Sequence, residues 1–314
     1  MKPAALSQRL EGVLAPAITP FRRDLSPDPD RFVRHCRSLL EQGCTGLAVF
    51  GTNSEANSLA TEEKLELLDA LRSAGVPMHL LMPGTGHCAL ADAVRMTREA
   101  VRMGCAGVLM LPPFYYKDVS DEGLYRFFSE VIERTGEERL RLYLYHIPAV
   151  AQVPITPELI ERLLERYLGI VAGVKDSSGD WEHTKSLLER FAARGFDVFA
   201  GSELFLLEAL RAGAKGCISA TANVNATGIA RVWREWRAAG AERLQAECRA
   251  IRTIVQKFPM IPALKAITAQ RTRDPEWRRL RPPLVELSAE RERSLFAELA
   301  AAESAFPTPR GASQ

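Results

Sequence analysis

Lys175 closes the run Ile170-Val171-Ala172-Gly173-Val174, so an ammonium stands at the end of an apolar, β-branched segment. Desolvation there disfavours the charged form and favours a neutral amine able to attack a carbonyl carbon. Lys175 is therefore a candidate Schiff-base nucleophile. A Lys-Asp pair at a strand end is ordinarily just a solvated ion pair, so the assignment depends on what else reaches the same place. A carbonyl acid bound to such an amine brings a carboxylate with it. Thr52, Asn53 and the backbone N–H groups of the segment 51–58 offer donors for that carboxylate. Carbinolamine formation and dehydration also require a proton shuttle, and Tyr145, in Tyr145-His146-Ile147-Pro148, supplies a hydroxyl for it. Taken singly, a strand tyrosine is more often a core residue with its hydroxyl at the rim, and Gly-Thr-Asn-Ser is only a turn.

Short apolar runs at 12–18, 46–50, 79–84, 107–111, 141–147, 170–175, 197–201 and 215–220 read as strands. Amphipathic stretches at 30–43, 61–75, 88–104 and 203–214 read as helices between them, several closing at Gly. Regular alternation implies parallel pairing with right-handed crossovers, and eight repeats predict a closed (β/α)8 TIM barrel over residues 1–239. An open Rossmann-like sheet is disfavoured because no G-x-G-x-x-G follows the first strand. Beyond 239 the strand signal stops, and 240–258, 262–271 and 289–303 predict a C-terminal helical domain of three helices, 240–303. Residues 304–314 read as a frayed tail. In a barrel of this kind catalytic groups gather at the carboxyl ends of strands. Lys175 ends the sixth predicted strand, Tyr145 nearly ends the fifth, and the second runs into Gly51, so all three aim at one mouth.

The chain has 314 residues, 41 Lys and Arg against 39 Asp and Glu, and a net charge of +2, which gives no electrostatic reason for nucleic-acid or membrane binding. Cys36, Cys44, Cys88, Cys105, Cys217 and Cys248 are scattered without a C-x-x-C, so neither a disulfide framework nor a zinc site is expected. No run approaches the roughly 18 apolar residues of a membrane span, and the first residues lack a long apolar core, so a cytoplasmic location is expected.

Five segments occur in order at the predicted strand ends: 51–55 (GTNSE), 112–128 (PPFYYKDVSDEGLYRFF), 145–148 (YHIP), 173–180 (GVKDSSGD) and 216–224 (GCISATANV). Together they resemble the dihydrodipicolinate synthase / N-acetylneuraminate lyase family, and the likeness continues into 258–267 (FPMIPALKAI). The resemblance implies a class I lyase without metal or cofactor that carries pyruvate, or a larger 2-oxo acid, as an imine on Lys175. It implies that Tyr145 relays protons and that Thr52 links it to a second tyrosine, Tyr116, which enters the neighbouring site across a dimer interface. Thr52 and Asn53 would bind the pyruvyl carboxylate, and the backbone carbonyl of Ile218 would face the relay end. A homotetramer built from two tight dimers would follow.

The chain also departs from the family's pattern. Val150 stands where 4-hydroxy-tetrahydrodipicolinate synthases carry an arginine for the carboxylate of aspartate semialdehyde, and valine cannot make that charge-assisted bond. Asn53 and the KDSSGD stretch are similar to 4-hydroxy-2-oxoglutarate aldolases, which favours retro-aldol cleavage of a hydroxylated 2-oxo acid. The rivals are 4-hydroxy-tetrahydrodipicolinate synthase, a 2-keto-3-deoxy sugar-acid aldolase or dehydratase, and a non-catalytic pyruvate-binding protein. His146 stands where the family commonly has Asn. It could orient the loop, serve as an acid near the aldehyde or face away, and the alternation of strand side chains favours the last. Glu203 is either a specificity residue for substrate hydroxyls or a carboxylate at a helix N-terminus.

Overall fold

The computed structural model describes residues 9–305. In chain order the elements are β1 (Gly12–Ala15), α1 (Pro29–Glu41), β2 (Gly46–Leu47), α2 (Thr61–Ser73), α3 (Leu90–Arg102), β3 (Val108–Met110), α4 (Asp121–Thr135) and β4 (Leu142–His146). There follow the single turn α5 (Pro148–Ala151), α6 (Pro157–Arg166), β5 (Val171–Asp176), α7 (Trp181–Phe191), β6 (Asp197–Ala200), α8 (Leu206–Arg211), β7 (Gly216–Ile218) and α9 (Ala222–Glu235). The chain continues through α10 (Ala241–Val255), α11 (Met260–Thr272) and α12 (Ala289–Ala305).

All pairings between these strands are parallel, in the order β2-β1-β7-β6-β5-β4-β3. The gap between β2 and β3 is filled by the segment 81–85, which is bridged to both neighbours through Leu47↔Leu81 and Gly84↔Leu109. Its backbone bonds run both ways, Met82 N to Leu47 O at 2.8 Å and Thr85 N to Leu109 O at 2.9 Å. This segment closes the ring as the eighth stave of a (β/α)8 barrel. The strand expected over 79–84 is corrected here: Met78–Leu80 is a 3-10 turn, and Pro83 has no N–H for a ladder.

The strands are buried on both faces, as parallel strands under helices must be. Leu14, Met82, Leu109, Tyr143 and Phe199 fill the barrel interior. The outer face packs against helices whose apolar residues recur at helical spacing, such as Phe32, Cys36 and Leu39 on α1. Start signals act as their chemistry requires: Asp28, Ser120 and Thr156 accept backbone N–H groups of α1, α4 and α6, and α4 stops at Gly136 in the left-handed region.

The three C-terminal helices expected from the sequence are α10, α11 and α12. They bury Val255, Leu264 and Leu295 against one another and against Ile18, Ala220 and Val224 beside the barrel mouth. Residues Pro262 to Ala269 of α11 are all buried, so this stretch of the helix has no solvent stripe and is apolar except at Lys265 and Thr268. Most of the expected frayed tail, 304–314, lies outside the described residues; Ser304 still belongs to α12.

Candidate active site

Tyr145 and Lys175 are register partners on β4 and β5, so both side chains emerge on the same face at the carboxyl ends of neighbouring strands. Each is only 2% exposed, and Lys175 Nζ lies 4.0 Å from the centroid of the Tyr145 ring. The Tyr145 hydroxyl is 3.3 Å from Thr52 Oγ1. Burial alone would push this phenol up. The positive charge of Lys175 and hydrogen bonds from Thr52, Lys175 and Ser177 outweigh it and hold the phenol below its ordinary value. A tyrosine so placed is a ready proton acceptor beside an amine.

Thr52 lies in a 3-10 turn, Thr52–Ser54, held between two non-glycine residues with positive φ, Phe50 at 60° and Glu55 at 55°. Such backbone persists only where its surroundings enforce it. Here Thr19 Oγ1 donates to Ser54 O at 2.7 Å, Arg281 N donates to Glu55 Oε2 at 3.1 Å, and the fully buried Lys265 pairs with Glu55. The turn thus presents Thr52 and Asn53 from a braced frame.

These residues open on a cavity of about 390 Å³, the size of a small-molecule site. Thr52, Asn53, Tyr145, Lys175 and Ser177 supply its polar wall. Ile147, Val150, Phe205, Met260 and Leu284 supply an apolar one. Gly201, after β6, completes the wall at close quarters, since a Cβ there would meet Ser177 Oγ at 2.1 Å and Asp176 O at 2.5 Å.

The remaining residues singled out from the sequence lie elsewhere. Tyr116 is 71% exposed, with its ring against Tyr115, and does not line the cavity. Ile218 ends β7 inside the barrel interior, fully buried, and Ala220 forms the cavity wall beyond it. Glu203 is also fully buried away from the cavity: its carboxylate accepts the hydroxyls of Ser219 and Thr221, which ties the turn after β6 to the one after β7. The hydroxyl-binding alternative for Glu203 therefore has no open carboxylate to work with in this arrangement.

His146 faces away from the cavity. Its Nδ1 accepts the Ile155 N–H at 3.0 Å, its ring stacks on His183 at 4.6 Å, and burial lowers it to about 4, leaving it neutral. His146, Asp176 and His183 are the one trio among the described residues whose ligand atoms could gather round a cation. Their atoms are already engaged: the Asp176 carboxylate takes Thr184 Oγ1 at 2.6 Å, His183 Nδ1 at 3.1 Å and the Ser178 N–H at 3.0 Å. The cysteines are all free thiols, with Cys88 exposed. No helix among the described residues is long and apolar enough to cross a membrane.

Ser177 and Arg252 were missed in the sequence. Ser177 could have been found, because it follows Lys175 by two and shares its side of the chain. Arg252 carries no local signal, being one arginine among several on the amphipathic α10.

Fold and site define a (β/α)8-barrel protein with a lysine-tyrosine pair at the carboxyl mouth. The chain belongs to the dihydrodipicolinate synthetase family, whose model matches residues 9–302. It is 32% identical over 288 residues to an uncharacterized DapA-like lyase of Chloroflexus aurantiacus, covering 91% of this chain and 95% of that one. It is 34% identical over 212 residues to a 4-hydroxy-tetrahydrodipicolinate synthase of Desulforamulus reducens, covering 68% and 70%. The crystal structure of a dihydrodipicolinate synthase from Agrobacterium tumefaciens superposes with a TM-score of 0.87 at 32% identity, over 93% of this chain and 99% of that one. The protein is a lyase of this family.

Proposed function

We propose that the protein is a class I, Schiff-base aldolase of 2-oxo acids in which pyruvate is the imine-bound partner and no cofactor takes part. The observation that carries this reading is the buried pair of Lys175 Nζ and Tyr145, with Thr52 on the tyrosine hydroxyl. In the cleavage direction the Lys175 amine adds to C2 of the substrate, and Tyr145 passes protons so that water leaves and an iminium forms. Removal of the C4 hydroxyl proton breaks the C3–C4 bond; its electrons flow into the iminium, an aldehyde departs, and an enamine of pyruvate remains. Protonation at C3 and hydrolysis release pyruvate and restore the amine. Thr52 and Asn53 hold the substrate carboxylate beside the amine. Tyr116 is proposed to reach the relay of a second copy in a dimer of dimers, where it would join Thr52.

The preferred substrate is a 4-hydroxy-2-oxo acid, with a 4-hydroxy-2-oxoglutarate aldolase as the nearest description. Val150, which lines the cavity, offers no charge to the carboxylate of aspartate semialdehyde. The named synthase relative favours 4-hydroxy-tetrahydrodipicolinate synthase as a second reading, and a coupled assay with pyruvate and aspartate semialdehyde separates the two.

The test is intact-protein mass after borohydride reduction with and without pyruvate, followed by peptide mapping. The expected adduct lies on Lys175 and disappears in Lys175→Ala, along with all turnover. An adduct on another lysine, or full activity in Lys175→Ala, would refute the mechanism.

A further inference from the structure

Arg252 is a cation at the cavity to which the chemistry above gives no task. It extends from α10 and lines the same cavity as Lys175, with 14% of its side chain exposed. Its Nε and Nη1 are buried and make no hydrogen bond among the described residues. The carboxylate within ion-pair range, Glu203, stands 3.8 Å from Nη1, beyond hydrogen-bond reach, and is occupied by Ser219 and Thr221. Glu203 thus balances charge from behind without filling the guanidinium fork. A buried fork with orphaned N–H groups is unfavourable until an acceptor arrives, and its planar geometry suits a carboxylate. The other cation on the cavity, Lys175, is committed to C2 of the substrate in the mechanism above, and Thr52 and Asn53 to the adjacent carboxylate. The third charged residue on the wall, Asp176, is spent on its own loop.

We propose that Arg252 is a specificity-determining residue that binds a second, distal carboxylate, so that the substrate class is a 4-hydroxy-2-oxo dicarboxylate and not a neutral hydroxylated 2-oxo acid. This rests on the aldolase reading of the site. Binding requires the guanidinium to turn, so that N–H groups now buried toward Glu203 meet the substrate while Glu203 keeps the charge balanced.

The experiment compares wild type, Arg252→Met, Arg252→Gln and Arg252→Lys on 4-hydroxy-2-oxoglutarate and on 4-hydroxy-2-oxopentanoate, which has a methyl in place of the distal carboxylate. Borohydride trapping of pyruvate on Lys175 is run on each variant to report an intact imine site. Removing the partner of a buried, charge-assisted bond predicts that Arg252→Met loses about 100-fold in kcat/KM on the dicarboxylate. Turnover of the methyl analogue and pyruvate trapping should stay near wild type, and Arg252→Lys should recover part of the loss. Equal losses on both substrates overturn the proposal, as does a wild type that does not prefer the dicarboxylate. Loss of trapping in both Arg252→Met and Arg252→Gln makes Arg252 a structural prop and also overturns it. Absence of any pyruvate adduct in wild type removes the aldolase reading itself, and this proposal with it.

Discussion

At the residue scale the decisive feature is one phenol between two forces. Burial works against ionising Tyr145, and the positive charge of Lys175, with the Thr52 and Ser177 hydroxyls, works for it and wins. An ordinary phenol titrates near 10, so the group that takes protons from the substrate becomes competent at a lower pH than free tyrosine would. Because the deprotonated form accepts the proton, activity should climb with pH through this lowered value. Thr52→Val removes one of the stabilising hydrogen bonds, so the phenol rises and the ascending limb of kcat/KM against pH should move to higher pH. Tyr145→Phe should slow imine formation by about 100-fold or more while leaving the fold unchanged. Stopped-flow trapping and pH profiles of the three proteins read both effects; an unmoved limb in Thr52→Val together with a normal rate in Tyr145→Phe would remove the relay.

At the scale of elements, the turn after β2 depends on a helix far along the chain. Lys265 of α11 and Glu55 are both fully buried; burial lowers the lysine to about 8, against the pull of Glu55, and Lys265 Nζ also donates to Arg279 O at 2.6 Å. Breaking such a pair from one side leaves an uncompensated charge and costs about 3–5 kcal/mol. Lys265→Met should therefore lower the denaturation midpoint strongly and raise KM for pyruvate, since Thr52 and Asn53 lose their frame. The double variant Glu55→Gln/Lys265→Met should be less destabilised than the sum of its parts; strict additivity would show that the pair does not brace the turn. None of this was legible locally, because Lys265 sits in a segment that reads as an ordinary apolar helix. What could be read was whatever repeats with a period: the helical faces of α1 and α3, the glycines Gly43 and Gly104 that follow them, and the apolar strands that end at Tyr145 and Lys175. The stave at 81–85 was legible as an apolar run but not in its bounds: the strand expected over 79–84 begins as a 3-10 turn at Met78–Leu80 and is held beyond it by isolated bridges around Pro83. Arg252 escaped because an arginine on an amphipathic helix reads as solvated until the fold lays that helix over the barrel mouth.

At the scale of the whole molecule, the single chain leaves two adjacent tyrosines uncovered. Tyr115 and Tyr116 stand 74% and 71% exposed, edge to face, and Val150 on the cavity wall is 62% exposed. Adjacent exposed aromatics of this kind are typical of surfaces that another protein covers. In the assembly proposed above that protein is a second copy, whose Tyr116 would complete the relay through Thr52. Packing and proton transfer can be separated. Tyr115→Ala/Tyr116→Ala should lower the mass measured by light scattering and reduce activity per site. Tyr116→Phe keeps the ring and loses only the hydroxyl, so it should retain the wild-type mass and still turn over slowly. A wild type that is monomeric and fully active would refute the shared site. So would a Tyr116→Phe variant with normal rates, because the ring would then serve packing alone and the relay would be complete within one chain.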